Sequence, residues 1–275
     1  MPHTCRTFLR TSFAHVAVVS ALAILALAAS LASSQAQTIN EILNRKKIVI
    51  GVLVDLPPFG MMNSEQKPEG LDIELAVLLA KNLGVEAEIL PVATANRIPY
   101  LQSKRIDILV ASLGITPDRA KQVMFTIPYV SVDVVIAAGK NVKLSTIDDL
   151  KTVSIAVARG SSQEGYVTSI APKDAKIMRF DGDAPATQAF IAGQAQALSN
   201  NSIMIASIKK ANPALEIENK ITLRRQANAI AVRLDAFELH QWINTFIYQM
   251  KMTGELEALH LKWIGASSVA DLPVF

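Results

Sequence analysis

From Lys47 onward, apolar and polar positions recur along the chain in two periods. The runs 47–54 (KIVIGVLV) and 106–111 (IDILVA) read as buried strands, and 85–92 (VEAEILPV) alternates like a strand with one face covered. Between them, 71–83 carries apolar residues at 71, 75, 78 and 79, the spacing of one helix face, and Gly84 follows as a stop. The stretch 96–104 opens another helix. A second series starts near Leu144: 152–158, 176–180 and 195–199 read as strands, 161–170 and 184–192 as helices. Two further extended runs, 132–138 and 227–233, lie between the series and after the second.

Strands alternating with helices predict a mainly parallel α/β fold. Two series of similar length joined by two connections predict two lobes: the chain leaves the first, builds the second and returns. The expected division is a leader at 1–36, a first lobe from 37–138 and 229–275, and a second from 139–228. The closing segment, 237–263, is helical with a break at Gly254 and should pack on the first lobe.

The apolar fraction of 51% supports a substantial core, but part of it is the leader. Arg6 and Arg10 precede an uninterrupted apolar run, 14–31, and Ser34, Gln35 and Ala36 follow. That order is a secretory signal peptide cleaved after Ala36. The alternative is a membrane anchor of about 18 residues, at the short limit for spanning. The single cysteine, Cys5, falls inside the leader, so a mature chain has neither a disulfide framework nor a cysteine metal site. Removing Arg6 and Arg10 from the 27 cations leaves 25 against 24 anions, which gives nucleic acid nothing to hold. These features predict a soluble, exported, thiol-free globular protein.

The stretch 111–129 (ASLGITPDRAKQVMFTIPY) carries the chemistry. A buried strand ends on Ser112 and Gly114; Thr116 is a good N-cap, Pro117 suits the first helical position, and Asp118 complements the helix dipole. Arg119 then stands in the first turn, where a cation is electrostatically disfavoured. Strand C-termini and helix N-termini of open α/β sheets face ligand crevices, and a guanidinium matches a carboxylate bidentately. A docked carboxylate would account for Arg119; a solvent-exposed arginine is the competing reading. A second strand end, 158–164 (ARGSSQE), pairs a Ser161 cap with Glu164 three residues on, a capping box that explains both residues without a ligand. His240 and His260 fall on the closing helices, where surface positions are expected. No cysteine nucleophile, nucleophile elbow, phosphate loop or His–Glu metal helix occurs.

At 51–60 (GVLVDLPPFG), 69–85 (EGLDIELAVLLAKNLGV), 96–111 (NRIPYLQSKRIDILVA), 115–129, 159–164 and 256–265 (LEALHLKWIG), the chain resembles the bacterial extracellular solute-binding proteins of polar amino-acid ABC importers. The resemblance runs in order through nearly the whole mature chain. It implies the two-lobed periplasmic-binding-protein fold of type II, with two hinge strands and closure around one ligand. By that resemblance Arg119 is the clamp for the ligand α-carboxylate, helped by Ser112, while Ser162, with Ser161 beside it, meets the same group from the second lobe. Phe59 matches the cleft aromatic, and Arg97 resembles the branch that binds a side-chain carboxylate. For Arg97 the competing reading is a helix-start residue capping its own lobe.

The chain also departs from the family. Gly114 stands where Ser or Thr is usual, and Asn201 where an Asp is usual; both positions normally receive the ligand α-ammonium. Leu53 replaces a polar or charged residue, and Leu56 and Thr94 occupy places often aromatic. The anion half of the site is therefore expected intact and the ammonium half weakened, so that a carboxylate should rival its amino-acid analogue. An Asn201 that still accepts through its amide oxygen is the alternative.

The resemblance implies a periplasmic receptor, a monomer without cofactor or metal, that captures a small amino acid or related carboxylate and hands it to a membrane permease. A cleft enzyme of the same fold, such as cyclohexadienyl dehydratase, is the rival; the missing carboxyl at 201 and the lack of a cleft histidine speak against it. A sensor ectodomain would need membrane-spanning and signalling segments after the domain, and the sequence stops shortly after Gly265.

Overall fold

The computed structural model describes residues 39–267 and 269–272; the expected leader, 1–36, lies outside them. Helix α1 (Ile39–Arg45) leads into β1 (Lys47–Val52). A small antiparallel sheet follows, of β2 (Asp55–Leu56), β3 (Gly60–Met62) and β4 (Pro68–Glu69). Helix α2 (Leu71–Leu83) occupies the predicted span and buries Leu71, Leu75 and Leu79 on the face that its spacing marked. Next come β5 (Glu86–Pro91), α3 (Arg97–Gln102), β6 (Ile108–Gly114) and the single turn α4 (Pro117–Ala120).

The long strand β7 (Met124–Gly139) carries the chain into the second series: β8 (Ser154–Ala158), α5 (Ser162–Ile170), β9 (Lys176–Phe180), α6 (Asp183–Ile191), β10 (Ala197–Asn201) and α7 (Ser202–Ala211). An equally long β11 (Ile217–Val232) brings it back to α8 (Phe237–Thr253) and α9 (Glu255–Ile264), which are separated at Gly254.

The eight main strands form one sheet in the order β5-β1-β6-β11-β7-β10-β8-β9. Its outer pairs, β5 with β1, β1 with β6, β10 with β8 and β8 with β9, are parallel. The three central pairs, β6 with β11, β11 with β7 and β7 with β10, are antiparallel. The sheet is thus mixed, where alternation along the chain predicted a mainly parallel one. The difference arises because the runs 132–138 and 227–233 are not isolated connections but ends of two 16-residue strands that pair with each other. One end of each strand belongs to the first α/β half and the other to the second. The polar residues within 217–226 hid the first part of β11, and the helix α7 was not anticipated.

The second half holds its own apolar cluster around Ile136, Leu150, Ile155, Val157 and Val167, while a larger cluster runs from Ile48 and Ile50 through Leu79 and Val110 to Ile243 and Leu256 and extends into the second half at Ala186, Leu198, Met204 and Ile208. His260, expected at the surface, is fully buried, with Nε2 2.8 Å from the Tyr129 carbonyl oxygen; α9 packs against the first half and turns this face inward. His240 is half-buried, with Nε2 2.8 Å from the Phe125 carbonyl oxygen.

Candidate functional site in the cleft

The C-terminal ends of strands from both halves meet over one small enclosed space. From the first half it is lined by Leu53, Leu56, Thr94, Arg97 and Ser112, and from the second by Ser161, Ser162, Gln163, Asp183 and Asn201. Val132, Gln226 and Asn228, on the two long strands, form its floor. The space measures about 10 Å³, room for about one water molecule.

Ser112 reaches this wall through a bulge. Leu113 pairs with Ala229 but Leu109 with Ala231, so 110–112 bulge opposite Ile230. Ser112 takes a left-handed φ of 46°, rare for a residue with a β-carbon. Its N–H donates to the Tyr129 hydroxyl at 3.1 Å, and that hydroxyl donates to Asp72 Oδ1 at 2.8 Å. Asp72 and Tyr129 are completely buried, and burial pushes the Asp72 carboxyl up to about 7 against the favourable Tyr129 contact.

Two guanidinium groups converge on one acceptor. Arg97 is 4% exposed and donates from Nε to the Thr94 carbonyl (2.9 Å), from Nη1 to that of Ala111 (3.0 Å) and from Nη2 to that of Gly160 (3.4 Å). Arg119 donates from Nη1 to the Gly114 carbonyl (2.8 Å) and from Nη2 to that of Gly160 (3.0 Å). Burial, reinforced by the charge of Arg97, lowers Arg119 to about 9, so it stays cationic at neutral pH. Arg97 is lowered chiefly by burial as well, with Asp183 and Asp55 opposing. Two cations held this close are stabilised by an anion between them. Gly160 makes their meeting possible: with φ 74° and a position where a β-carbon would lie 2.8 Å from Ala95 Cα, it lets the second half approach the first.

The caps form as the sequence predicted. Thr116 Oγ1 accepts from the Arg119 N–H (3.2 Å) and Ser161 Oγ from the Glu164 N–H (3.0 Å). Glu164 itself accepts from the N–H of Gly160 at 2.7 Å, one residue before the cap, and from Arg179 Nε at 2.7 Å. Asn201 caps α7 by accepting from the Met204 N–H at 2.7 Å.

Of the residues singled out from sequence, Thr94, Arg97, Ser112, Ser161, Ser162 and Asn201 come together on the cavity wall. Arg119 does not line it; with Ser161 and Ser162 it borders a wider outer groove of about 660 Å³. Phe59 has its side chain fully buried in the core and is not among the residues lining the cavity. Gly114 stands behind the wall, where a β-carbon would fall 2.2 Å from the Gln226 amide. Sequence reading missed Asp183, Gln226 and Asn228. Asp183 is 5% exposed and accepts from Asn200 Nδ2 at 2.8 Å and from Thr94 Oγ1, across the cleft, at 3.1 Å. Burial, with the charge of Asp55, raises it to about 6. The available signal was the pair of amides two positions apart in 226–228, which a strand places on one face.

The family model for bacterial extracellular solute-binding proteins, family 3, matches residues 48–266. The L-cystine-binding protein TcyJ of Escherichia coli (strain K12) is 29% identical over 83% of this chain and 86% of its own length. The ABC transporter glutamine-binding protein GlnH of Bacillus subtilis (strain 168) is 30% identical over 84% of this chain and 86% of its own. Among solved structures, the ancestral amino acid-binding protein AncCDT-1, a precursor of cyclohexadienyl dehydratase, superposes with a TM-score of 0.76 at 32% identity, covering 82% of this chain and 99% of that one. The chain belongs to the bacterial extracellular solute-binding proteins, family 3.

Proposed function

We propose that this protein is the periplasmic receptor of an ABC importer: it closes over a small amino acid or related carboxylate and presents the closed form to an inner-membrane permease. In this reading 1–36 is a signal peptide, 37–138 with 229–275 form one lobe, 139–228 form the other, and the receptor works as a monomer. Arg119, Ser112 and Ser162 receive the α-carboxylate, and Arg97 a side-chain carboxylate. The observation that carries the reading is the convergence of donors from both halves on one enclosed cavity, with two arginines meeting at the Gly160 carbonyl oxygen. The named relatives, which bind cystine and glutamine, support the ligand class.

A thermal-shift screen of amino acids and matched carboxylates tests it. A ligand at a hundredfold excess over Kd stabilises by about 2.7 kcal/mol, about 5 to 10 °C for a domain of this size. If no amino acid or carboxylate moves the melting temperature, the reading fails.

One observation favours a second reading, a dehydratase. Asp183 places an acid with a raised pKa in the cavity, as a general acid requires, and the ancestral relative is described as a precursor of such an enzyme. Incubation with prephenate decides: turnover establishes the enzyme, and none removes it.

A further inference from the structure

Gly114 and Asn201 stand where a hydroxyl and a carboxylate were expected to receive a ligand ammonium, yet the cavity still presents acceptors. The space of the missing side chain at 114 is filled: a β-carbon there would lie 2.2 to 2.6 Å from three atoms of the Gln226 amide. Gly114 and Gln226 therefore form a pair in which the absence of one side chain admits the other. Gln226 is 4% exposed, lines the cavity, and its Oε1 is buried without a hydrogen-bond partner. Buried polar atoms are almost always satisfied, so an orphan acceptor on a cavity wall points to a donor that arrives with the ligand.

The neighbouring bonds agree with that polarity. Gln226 Nε2 donates to Asn228 Oδ1 at 2.7 Å, and Asn228 Nδ2 donates to Ser112 Oγ at 2.8 Å. A hydroxyl that accepts keeps its own hydrogen to give. One relay thus leaves Ser112 able to donate to a carboxylate and Gln226 able to accept from an N–H group. Asp183, from the second half, supplies negative charge to the same cavity, its two oxygens held by Asn200 and Thr94. Gln226 is also paired with Val132 where the long strands cross between the halves, so a group bound there touches the connection itself.

We propose that Gln226, with Asp183 as counter-charge, receives the ligand's ammonium in place of residues 114 and 201, making Gln226 a specificity-determining residue on the connecting strand. The inference rests on the receptor reading above and reverses the sequence expectation that the amino group matters less.

The test is calorimetry on the full mature chain with L-cystine, L-glutamine, L-arginine and L-glutamate, each against the same carbon skeleton lacking its α-amino group. The wild type should prefer the amino form of its ligand at least tenfold. Gln226→Met, which keeps the side-chain length and removes the amide, should lose about tenfold in affinity for the amino form and little for the deaminated one. Gln226→Glu provides a second arm and should widen the preference. Asp183→Asn should narrow it. Equal binding of both forms by the wild type overturns the inference and leaves the receptor reading standing, as does a Gln226→Met variant that weakens both forms equally. Binding of neither form of any probe overturns both.

Discussion

The carboxylate of Asp55 accepts from the N–H of Asp183 at 2.9 Å, capping α6 from the opposite half of the molecule. The helix has no cap of its own, because Gly182 occupies the N-cap position, and a β-carbon on Gly182 would lie 2.8 Å from Asp55 Oδ2. A second bond reaches the N–H of Ala184 at 3.3 Å. An intramolecular cap of this kind can form only while the halves are together.

Asp55→Ala should therefore act on closure rather than on folding. Loss of an N-cap costs about 1 kcal/mol, so ligand affinity should fall about fivefold while the far-ultraviolet circular dichroism stays unchanged. Calorimetry with the strongest hit of the thermal screen checks this, and an unchanged Kd would show that closure does not depend on Asp55.

Arg119→Ala should abolish ligand binding with the fold intact. Removing one partner of a charge-assisted contact in a closed cleft costs about 2 to 5 kcal/mol. Arg119 makes its two side-chain bonds to backbone carbonyls of 114 and 160, outside the core. Affinity within threefold of wild type would remove Arg119 from the site.

Closure about β7 and β11 should be visible as compaction on ligand addition, because donors from both halves can serve one ligand only when joined. Small-angle X-ray scattering should show a smaller radius of gyration with ligand. Gly160→Ala should suppress the change, since its β-carbon would meet the Ala95 backbone at 2.8 Å. An equal radius with and without ligand in the wild type would refute the hinge.

Asp72 should make stability fall as pH rises. Its carboxyl is raised from 3.8 to about 7, mainly by burial, so between these values the folded chain binds a proton that the unfolded chain has released. Protonation then favours folding at the acid end, and this contribution is lost as pH climbs toward 7. Asp183, raised to about 6, contributes with the same sign over a narrower window. Melting temperatures from pH 5 to 8 should decline less steeply in Asp72→Asn, which retains an acceptor for Tyr129. Parallel profiles in variant and wild type would assign the slope elsewhere.

Local chemistry was legible in the sequence. The span of α2, the strand at 176–180, the break at Gly254 and the caps Thr116 and Ser161 each depend on neighbours within a few residues, and each forms where the pattern placed it. The family resemblance carried the two-half architecture, and Thr94, Arg97, Ser112, Ser161, Ser162 and Asn201, which the sequence reading had singled out, line one cavity.

What the tertiary structure decided is set by partners far apart in the chain. The antiparallel centre of the sheet follows from β7 and β11 finding each other, and neither strand's full length is written in its own alternation. His260 is buried because α9 turns it toward Tyr129. Asp183 carried no signal in the sequence; its bonds to Thr94 and Asn200 place it at the cavity. Ser112 and Asn228 meet across 116 residues of sequence, and Gln226 enters the space beside Gly114 by the same pairing of β6 with β11. Periodicity and capping are short-range rules of backbone geometry; which polar side chain fills another residue's missing volume is fixed only once distant strands have packed.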